Sequence, residues 1–143
     1  MRDVTKREFK KSFKTHYDCY RKLSGSNSGC DKTRRLILFY CVECGLKCEL
    51  LKREMKNTYK ELWTCEGLEK LERDGHNLNI MLKKAGVEAR FPLGPIRLRS
   101  QESVGAREFN QLWRYGIETL DAREEDEAEK TLANIAKWLD EGI

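Results

Sequence analysis

The sequence predicts an all-α protein, an up-and-down bundle of about five helices. Three observations support this prediction. Only two of the 143 residues are proline and 36% are charged, which is typical of helical proteins with highly charged surfaces. Apolar residues recur at steps of three and four in several segments, as they do in amphipathic helices. No segment shows the apolar–polar alternation of a half-buried strand.

At 143 residues, the chain suits one domain over 1–143 with its own core. Its apolar runs are shorter than the roughly 18–20 residues of a membrane span. The start MRDVTKREFKK is charged from its second residue, unlike a signal peptide. We therefore expect a cytoplasmic protein whose six cysteines stay reduced rather than forming a disulfide framework.

The first predicted helix spans residues 3–23 and is strongly basic. Phe9 and Phe13 lie at helical spacing in it, with lysines and arginines around them. The turn-forming residues SGSNSG at 24–29 predict a flexible link to a bundle body at residues 30–143.

The second predicted helix starts at Asp31, which can cap it, and runs to about residue 58. Its stretch FYCVECGLKCELL (39–51) contains a C-x-x-C pair, which raises the question of a metal site. A structural zinc site needs four ligands, and the other cysteines form no second C-x-x-C. At about 100° per residue, the cysteines instead share one apolar stripe, which predicts a buried seam of Ile37, Cys41, Cys44, Cys48 and Leu51.

A second stripe of the same helix, about a quarter-turn away, contains a charged pair. Glu43 and Lys47 are four residues apart, in the order that favours an ion pair. Their neighbours on the stripe are apolar, so we expect Glu43 to be partly buried and to require a cation or hydrogen-bond donors. Two interpretations stay open: a structural brace between helices, or a carboxylate within a polar site.

The remaining elements follow from residue 59 onward. A short helix ended by Gly75 fits residues 59–75, and His76 or Asn77 then opens the helix in HNLNIMLKKAG, which Gly86 stops. The segment 87–105 holds both prolines and is the longest predicted loop.

Two helices are predicted after this loop. The first covers about 106–116. The last begins with Asp121 and Glu124 in a D-x-x-E capping arrangement. It buries residues spaced by four, three and four positions, namely Ala128, Leu132, Ile135 and Leu139.

Charge is distributed unevenly along the chain. Residues 1–60 carry 16 lysines and arginines against 7 acidic residues, whereas residues 61–143 carry 12 against 17. The basic half can attract phosphates or the acidic half of a second copy, or it can simply be solvated. The acidic outer face of the last helix, EEDEAEK, is likewise either solvated or met by the basic first helix.

Three segments, taken together, resemble the HEPN family (higher eukaryotes and prokaryotes nucleotide-binding domain). FYCVECGLKCELL is similar to the second-helix signature of the family, in which a small-residue and tyrosine run leads into Glu-Cys-small-Leu-Lys. HNLNIMLKKAG is similar to its His-Asp/Asn-Leu motif. LWRYG (112–116) and the last helix resemble its Arg-Tyr segment and closing helix. The resemblance covers about residues 30–143, with the order preserved.

This resemblance implies an all-α bundle, usually dimeric, of the kind found in prokaryotic toxin–antitoxin, CRISPR and phage-defence systems. Many such proteins bind or cleave RNA without a metal. Carried over motif by motif, the candidate site residues are Glu43, Lys47, His76, Asn77, Arg114 and Tyr115.

The chain departs from the family in one respect. Nuclease members use an arginine followed, after four to six intervening residues, by a histidine, and neither His16 nor His76 follows an arginine at that spacing. A substitute site is one possibility, in which Glu43 orients His76 and Arg114 holds phosphate. The other is structural: His76 opens its helix and bonds a carboxylate, while Arg114 pairs with Glu43 inside the bundle.

Candidate nucleic-acid contacts lie in two places. The loop RFPLGPIRLR (90–99) combines arginines with an aromatic residue, a combination that suits single-stranded nucleic acid or an exposed arm for a partner. Together with the first helix, it supplies Lys10, Lys11, Lys14, Arg90, Arg97 and Arg99.

We therefore expect an RNA-binding or partner-binding component of a prokaryotic anti-phage defence or toxin–antitoxin system, without the usual catalytic motif. Two alternatives stay open: a metal-independent endoribonuclease with a divergent Glu/His/Arg site, and a structural small subunit of a larger complex. The expected partners are RNA and either a second copy or a defence-system protein. We expect no cofactor, no metal and no membrane.

Overall fold

The computed structural model of the protein describes residues 2–25 and 30–143. The predicted link at 24–29 falls mostly on residues 26–29, which lie outside the described residues, while Ser24 closes the first helix. The described part is an all-α helical bundle, which confirms the predicted class. Its α-helices are α1 (Lys6–Ser24), α2 (Asp31–Arg53), α3 (Tyr59–Leu62), α4 (Leu78–Lys84), α5 (Phe109–Arg114) and α6 (Ala122–Gly142).

Short elements connect these helices. Two 3-10 helices cover Glu69–Glu72 and Ala106–Glu108. The segment 87–105, predicted as a loop, contains a small antiparallel hairpin of β1 (Ile96–Arg97) and β2 (Ser103–Val104). The sequence could not reveal this hairpin, because two-residue strands are too short to show alternation.

Helix α2 is the central element and packs against α1, α4, α5 and α6. Helix α1 begins at a capping box, in which Thr5 Oγ accepts from the amide of Glu8 at 3.2 Å and Glu8 returns a bond to the amide of Thr5 at 3.0 Å. Its apolar face then buries Phe9, Phe13 and Tyr20. This apolar face packs against α2.

The cysteine stripe of α2, predicted as a buried seam, lies against α1, with Ile37 and Cys44 half-buried. Cys41 and Cys48 are buried, and the thiol of Cys41 donates to the carbonyl oxygen of Phe13 at 3.6 Å. Burial raises the pKa of the Cys41 and Cys44 thiols, so both stay neutral. Within the described residues, no three histidine, cysteine or acidic side chains are grouped so that they could hold a metal ion.

Gly45 lies where α1 and α6 both approach α2 closely. A Cβ at this position would lie 2.6 Å from Cδ1 of Phe13 on α1 and 2.7 Å from Cδ1 of Leu139 on α6. A side chain of any size would overlap both. Glycine therefore allows α1 and α6 to approach α2 at the same level.

The acidic start of α6 packs mainly against the basic start of α2. Glu129 accepts from Arg34 Nη2 at 2.7 Å, from Arg35 Nε at 2.9 Å and from the Tyr20 hydroxyl at 2.9 Å. Glu125 accepts from Arg35 at 3.1 Å. From α1, Lys14 reaches Asp140 at 3.9 Å. Much of the acidic face is thus paired within the chain.

Several predicted boundaries were wrong by a few residues. Helix α2 ends at Arg53 instead of about residue 58, because Met55 adopts a left-handed φ of 57°. Its N-cap is Cys30, while Asp31 is the first helical residue and pairs with Arg34 at 2.6 Å. The predicted helix 106–116 begins as the 3-10 helix and ends at Arg114.

The C-terminal helix keeps half of its predicted capping arrangement. Asp121 accepts from the amide of Arg123 at 2.9 Å. Glu124 instead accepts from the amide and the Nε of Arg97, at 3.0 and 3.1 Å. The predicted apolar seam is confirmed, since Ala128, Leu132, Ile135 and Leu139 are all buried. No helix of the described residues is long and apolar enough to cross a membrane.

Candidate functional site

The charged pair of α2 meets the only histidine outside α1. Glu43 and Lys47 are buried, with 8% and 5% of their surfaces exposed, and Lys47 Nζ lies 2.9 Å from Glu43 Oε2. The other carboxylate oxygen, Oε1, lies 2.6 Å from Nδ1 of His76. Glu43 therefore contacts a partner with each of its two oxygens, as a buried carboxylate requires.

The electrostatics of Glu43 favour its ionised form. Burial raises the pKa of this carboxyl, but the hydrogen bonds and charges of His76 and Lys47 outweigh burial and hold the pKa below its usual value of 4.5. An ionised carboxylate only accepts hydrogen bonds. Nδ1 of His76 therefore carries the proton of this bond, which leaves Nε2 as the atom of the ring that can exchange a proton with a substrate.

Lys47 is enclosed and acts within the protein. Its Nζ lies 4.5 Å from the centre of the Tyr59 ring and 5.8 Å from that of Phe9. The Tyr59 hydroxyl donates to the carbonyl oxygen of Leu71 at 2.6 Å and so fixes the ring over the ammonium group. Lys47 is thus placed to hold Glu43, and too deep to contact a macromolecular substrate.

Asn77 orients the backbone beside His76. Its side-chain oxygen accepts from the amide of Ile80 at 3.3 Å, so Asn77 is the N-cap of α4, one of the two residues predicted to open this helix. Its amide nitrogen donates to Asp74 at 3.1 Å. These bonds fix the short turn that presents His76 to Glu43.

The second histidine of the chain joins the same site. The ring centres of His16 on α1 and of His76 each lie 6.4 Å from the ring centre of Tyr40 on α2. Nδ1 of His16 lies 2.8 Å from the carbonyl oxygen of Ser12. Ser12 Oγ lies 3.1 Å from the same nitrogen. A carbonyl oxygen accepts only, so Nδ1 donates to it, and Nε2 is the ring nitrogen outside this contact.

Arg114 completes this group from the end of α5. Its guanidinium donates to the hydroxyl of Tyr40 and lies 5.9 Å from the centre of the Tyr40 ring. The alternative of an Arg114–Glu43 pair inside the bundle was wrong, because Arg114 is exposed and Glu43 is occupied by His76 and Lys47. Tyr115 is 68% exposed beside it, whereas Trp113 is buried and donates to Glu125 at 3.0 Å.

We call the resulting set the histidine cluster, and it comprises His16, Tyr40, Glu43, Lys47, His76 and Arg114. Three separate elements and one turn supply it. Glu43 and Lys47 form its buried base, and the histidines and Tyr40 are half-buried above them. The side chain of His76 is 45% exposed, so the cluster reaches the surface of the protein.

His16 was missed by the sequence analysis, although one signal was available. Ser12 and His16 are four residues apart on the same helical face as the buried Phe9 and Tyr20, rather than on the lysine-rich face. That position directs His16 toward α2. Its contact with Tyr40 joins residues of two different helices, which spacing along one helix does not predict.

The other predicted nucleic-acid contacts are dispersed. Lys10, Lys11 and Lys14 are exposed on α1, and Arg90 is exposed over the ring of Phe91 at 5.0 Å. Arg97 is bound to Glu124 at 3.1 Å, and Arg99 to Glu118 at 2.9 Å. Phe91 is buried beside Trp138, which removes it as a stacking surface.

The cluster has the groups that acid–base chemistry at a phosphate requires. Two imidazoles present exchangeable Nε2 atoms, one of them bonded through Nδ1 to a carboxylate. An exposed guanidinium lies beside the tyrosine that both rings approach. No family model, curated protein or solved structure matches the chain, so the likeness to HEPN proteins rests on the three sequence segments.

Proposed function

We propose that the protein binds single-stranded RNA and cleaves it without a metal, at the histidine cluster. The observation that carries this proposal is the placement of His16 and His76 beside one tyrosine, with Nδ1 of each ring bonded and Nε2 of each ring available. RNA carries its own nucleophile in the 2′-hydroxyl, so two proton-transferring groups and an anion clamp suffice.

The reaction is an internal transfer of the phosphoryl group. Nε2 of His16 takes the proton of the 2′-hydroxyl, and the 2′-oxygen forms a bond to phosphorus. The bond from phosphorus to the 5′-oxygen breaks, and protonated His76 gives its Nε2 proton to that oxygen. The products are a 2′,3′-cyclic phosphate and a 5′-hydroxyl. We give His76 the acid role because Glu43 can share the positive charge of its ring.

Arg114 and Tyr40 have supporting roles. The exposed guanidinium of Arg114 can hold the two non-bridging oxygens, on which negative charge develops. The Tyr40 hydroxyl accepts a hydrogen bond from Arg114. It thereby holds the guanidinium beside the tyrosine ring that both imidazole rings approach. Lys47 is a positioning residue, since it contacts Glu43 and lies beneath Tyr59.

The test is cleavage of end-labelled single-stranded RNA in the presence of a chelator. We expect products ending in a 2′,3′-cyclic phosphate, and no cleavage of DNA of the same sequence. His16→Ala, His76→Gln and Arg114→Ala should each lower the rate by about 10²-fold or more. Glutamine at position 76 keeps a donor for Glu43, which protects the fold. RNA left intact by the wild-type protein, or cleaved equally by all variants, would contradict the proposal.

A second function, RNA binding without cleavage, is favoured by one separate observation. Lys10 and Lys11 are exposed on α1, the helix that also supplies His16. Neither lysine takes part in proton transfer, so they serve affinity alone. Intact RNA that binds with a steep salt dependence would support this function in place of cleavage.

The cellular setting is proposed from the HEPN resemblance. In it, the protein is one component of a prokaryotic anti-phage defence or toxin–antitoxin system, as a homodimer or with a partner protein. A structural subunit role is the outcome if RNA neither binds at low salt nor is cleaved. Size-exclusion chromatography with light scattering, with and without the products of neighbouring genes, tests this setting.

A further inference from the structure

A groove of about 310 Å³ begins one residue beyond His76. It lies between α4 and the 3-10 helix Ala106–Glu108. Its main lining residues are Asn77, Asn79, Ile80, Lys83, Ala106 and Arg107. Its size is at the lower end of the range for ligand sites.

The lining combines three kinds of surface. Ile80 is half-buried and Ala106 buried, which gives the groove an apolar part. Asn79 is exposed and offers an amide with both a donor and an acceptor. Lys83 and Arg107 are exposed cations. A nucleotide presents the matching set, namely an apolar base face, polar base edges and a phosphate.

Arg107 is held by one ion pair and keeps further hydrogen-bond donors exposed. Its Nε lies 3.2 Å from Oδ2 of Asp74, and 62% of its side chain is exposed. The same Asp74 oxygen accepts from Asn77 at 3.1 Å. Asp74 thus couples Arg107 to the turn that carries His76, and the remaining guanidinium nitrogens are available to a phosphate oxygen.

Glu88 is the one carboxylate that lines the groove. A carboxylate repels phosphate but accepts from the amino group of a base. The groove therefore favours a ligand that carries both a phosphate and a base amino group over a simple anion such as inorganic phosphate.

We propose that this groove is a nucleotide subsite, which holds the nucleotide next to the scissile phosphate. Lys83 and Arg107 bind its phosphate, and Asn79 contacts its base edge. The inference rests on the proposed function, because it assigns the same RNA strand to the groove and to the histidine cluster.

The test measures binding of 2′-O-methyl oligonucleotides, which lack the nucleophile and stay intact. The Lys83→Ala/Arg107→Ala variant is compared with Lys130→Ala/Lys137→Ala, which removes two exposed cations of α6 that lie outside this groove. For wild type and the α6 variant, affinity should rise with length from two to six nucleotides. The groove variant should lose about tenfold for six nucleotides and little for two. Its slope of log affinity against log salt should fall by about 0.7, the value for one single-strand phosphate contact.

The outcomes separate this inference from cleavage. A groove variant that loses affinity in this length-dependent way supports the subsite, whether or not natural RNA is cleaved. Equal losses for the groove and α6 variants, or equal losses for two and six nucleotides, overturn the subsite. If RNA is cleaved but the groove variant cleaves long and short substrates as wild type does, the inference fails and the proposed function stands. Unfolding temperatures of the two variants establish that both are folded.

Discussion

Nδ1 of His76 donates to Oε1 of Glu43 at 2.6 Å, although the two residues are 33 positions apart in the chain. The carboxylate that receives this bond is 8% exposed, while the side chain of the histidine is 45% exposed. The contact therefore links the buried base of the bundle to its surface. It serves as a brace between α2 and the start of α4, and it also fixes which nitrogen of His76 faces outward.

Replacing Glu43 by glutamine should be strongly destabilising. The substitution leaves Lys47 charged and buried, with its carboxylate partner removed. Breaking a buried ion pair from one side typically costs about 3–5 kcal/mol, so we expect a loss near the lower value because glutamine keeps an acceptor oxygen. The measurement is the free energy of unfolding in urea.

The matched control for Glu43→Gln is Glu118→Gln. Glu118 also pairs with a cation, Arg99 at 2.9 Å, but its side chain is 69% exposed. Such surface pairs contribute little, so the free energy of unfolding should change by about 0.5 kcal/mol or less. Similar losses for both variants would show that the Glu43 pair is not a buried brace.

The stability that Glu43 provides should depend on pH in a defined direction. The pKa of Glu43 is lowered below its usual 4.5 in the folded protein, so the unfolded chain binds a proton at higher pH than the folded one. The contribution is therefore complete above about pH 4.5 and is lost as the pH falls through the lowered folded value. Glu125 and Glu129 have lowered pKa values too, so wild type alone cannot isolate Glu43.

The comparison of wild type with Glu43→Gln isolates the pH-dependent contribution of Glu43 to stability. The difference in their free energies of unfolding should be constant near neutral pH and should shrink on acidification below pH 4.5. Urea titrations at a series of pH values measure this difference. A difference that stays constant into strong acid would contradict the assigned pKa direction.

The sequence predicted what depends on periodicity within one helix. The stripe of Cys41 and Cys48 and the pair of Glu43 and Lys47 both follow from positions on a single wheel, and the structure has both. A contact between two elements could be predicted only where the family resemblance already linked their residues, as it did for Glu43 and His76. The position of His16 beside Tyr40 depends on how α1 is rotated against α2, which no local pattern fixes.

Packing between elements, which local sequence patterns do not fix, also explains where helix α2 ends and where Arg114 lies. Helix α2 has good helix formers beyond Arg53, but the chain must turn at Met55 to bring α3 back toward α1, where Tyr59 donates its amide to Val4 at 2.9 Å. One interpretation of the sequence pairs Arg114 with Glu43 in the bundle interior. Arg114 is exposed because α5 ends at this residue, on the side of Tyr40.

Gly45→Ala should destabilise the bundle by about 1–2 kcal/mol. The added Cβ would lie 2.6 Å from the Phe13 ring and 2.7 Å from Leu139, both fully or nearly fully buried and unable to withdraw freely. Alanine gains about 1 kcal/mol over glycine in a helix, which offsets part of this cost. Gly142→Ala is the control, since it lies at the end of α6 with nothing within 4 Å of its added Cβ. Thermal unfolding that is unchanged by Gly45→Ala would contradict the close approach of the three helices.

Glu129→Gln should destabilise the protein by about 3 kcal/mol through the junction of α2 and α6. The side chain is 13% exposed and accepts from Arg34, Arg35 and Tyr20. A glutamine places an amide donor against two guanidinium groups and removes the charge that balances them. Asp126→Asn is the matched control, because Asp126 binds the same Arg35 at 2.7 Å but is 67% exposed, so its loss should cost about 1 kcal/mol or less. Urea unfolding measures both variants, and an equal cost for the two would mean that burial does not set the strength of this network.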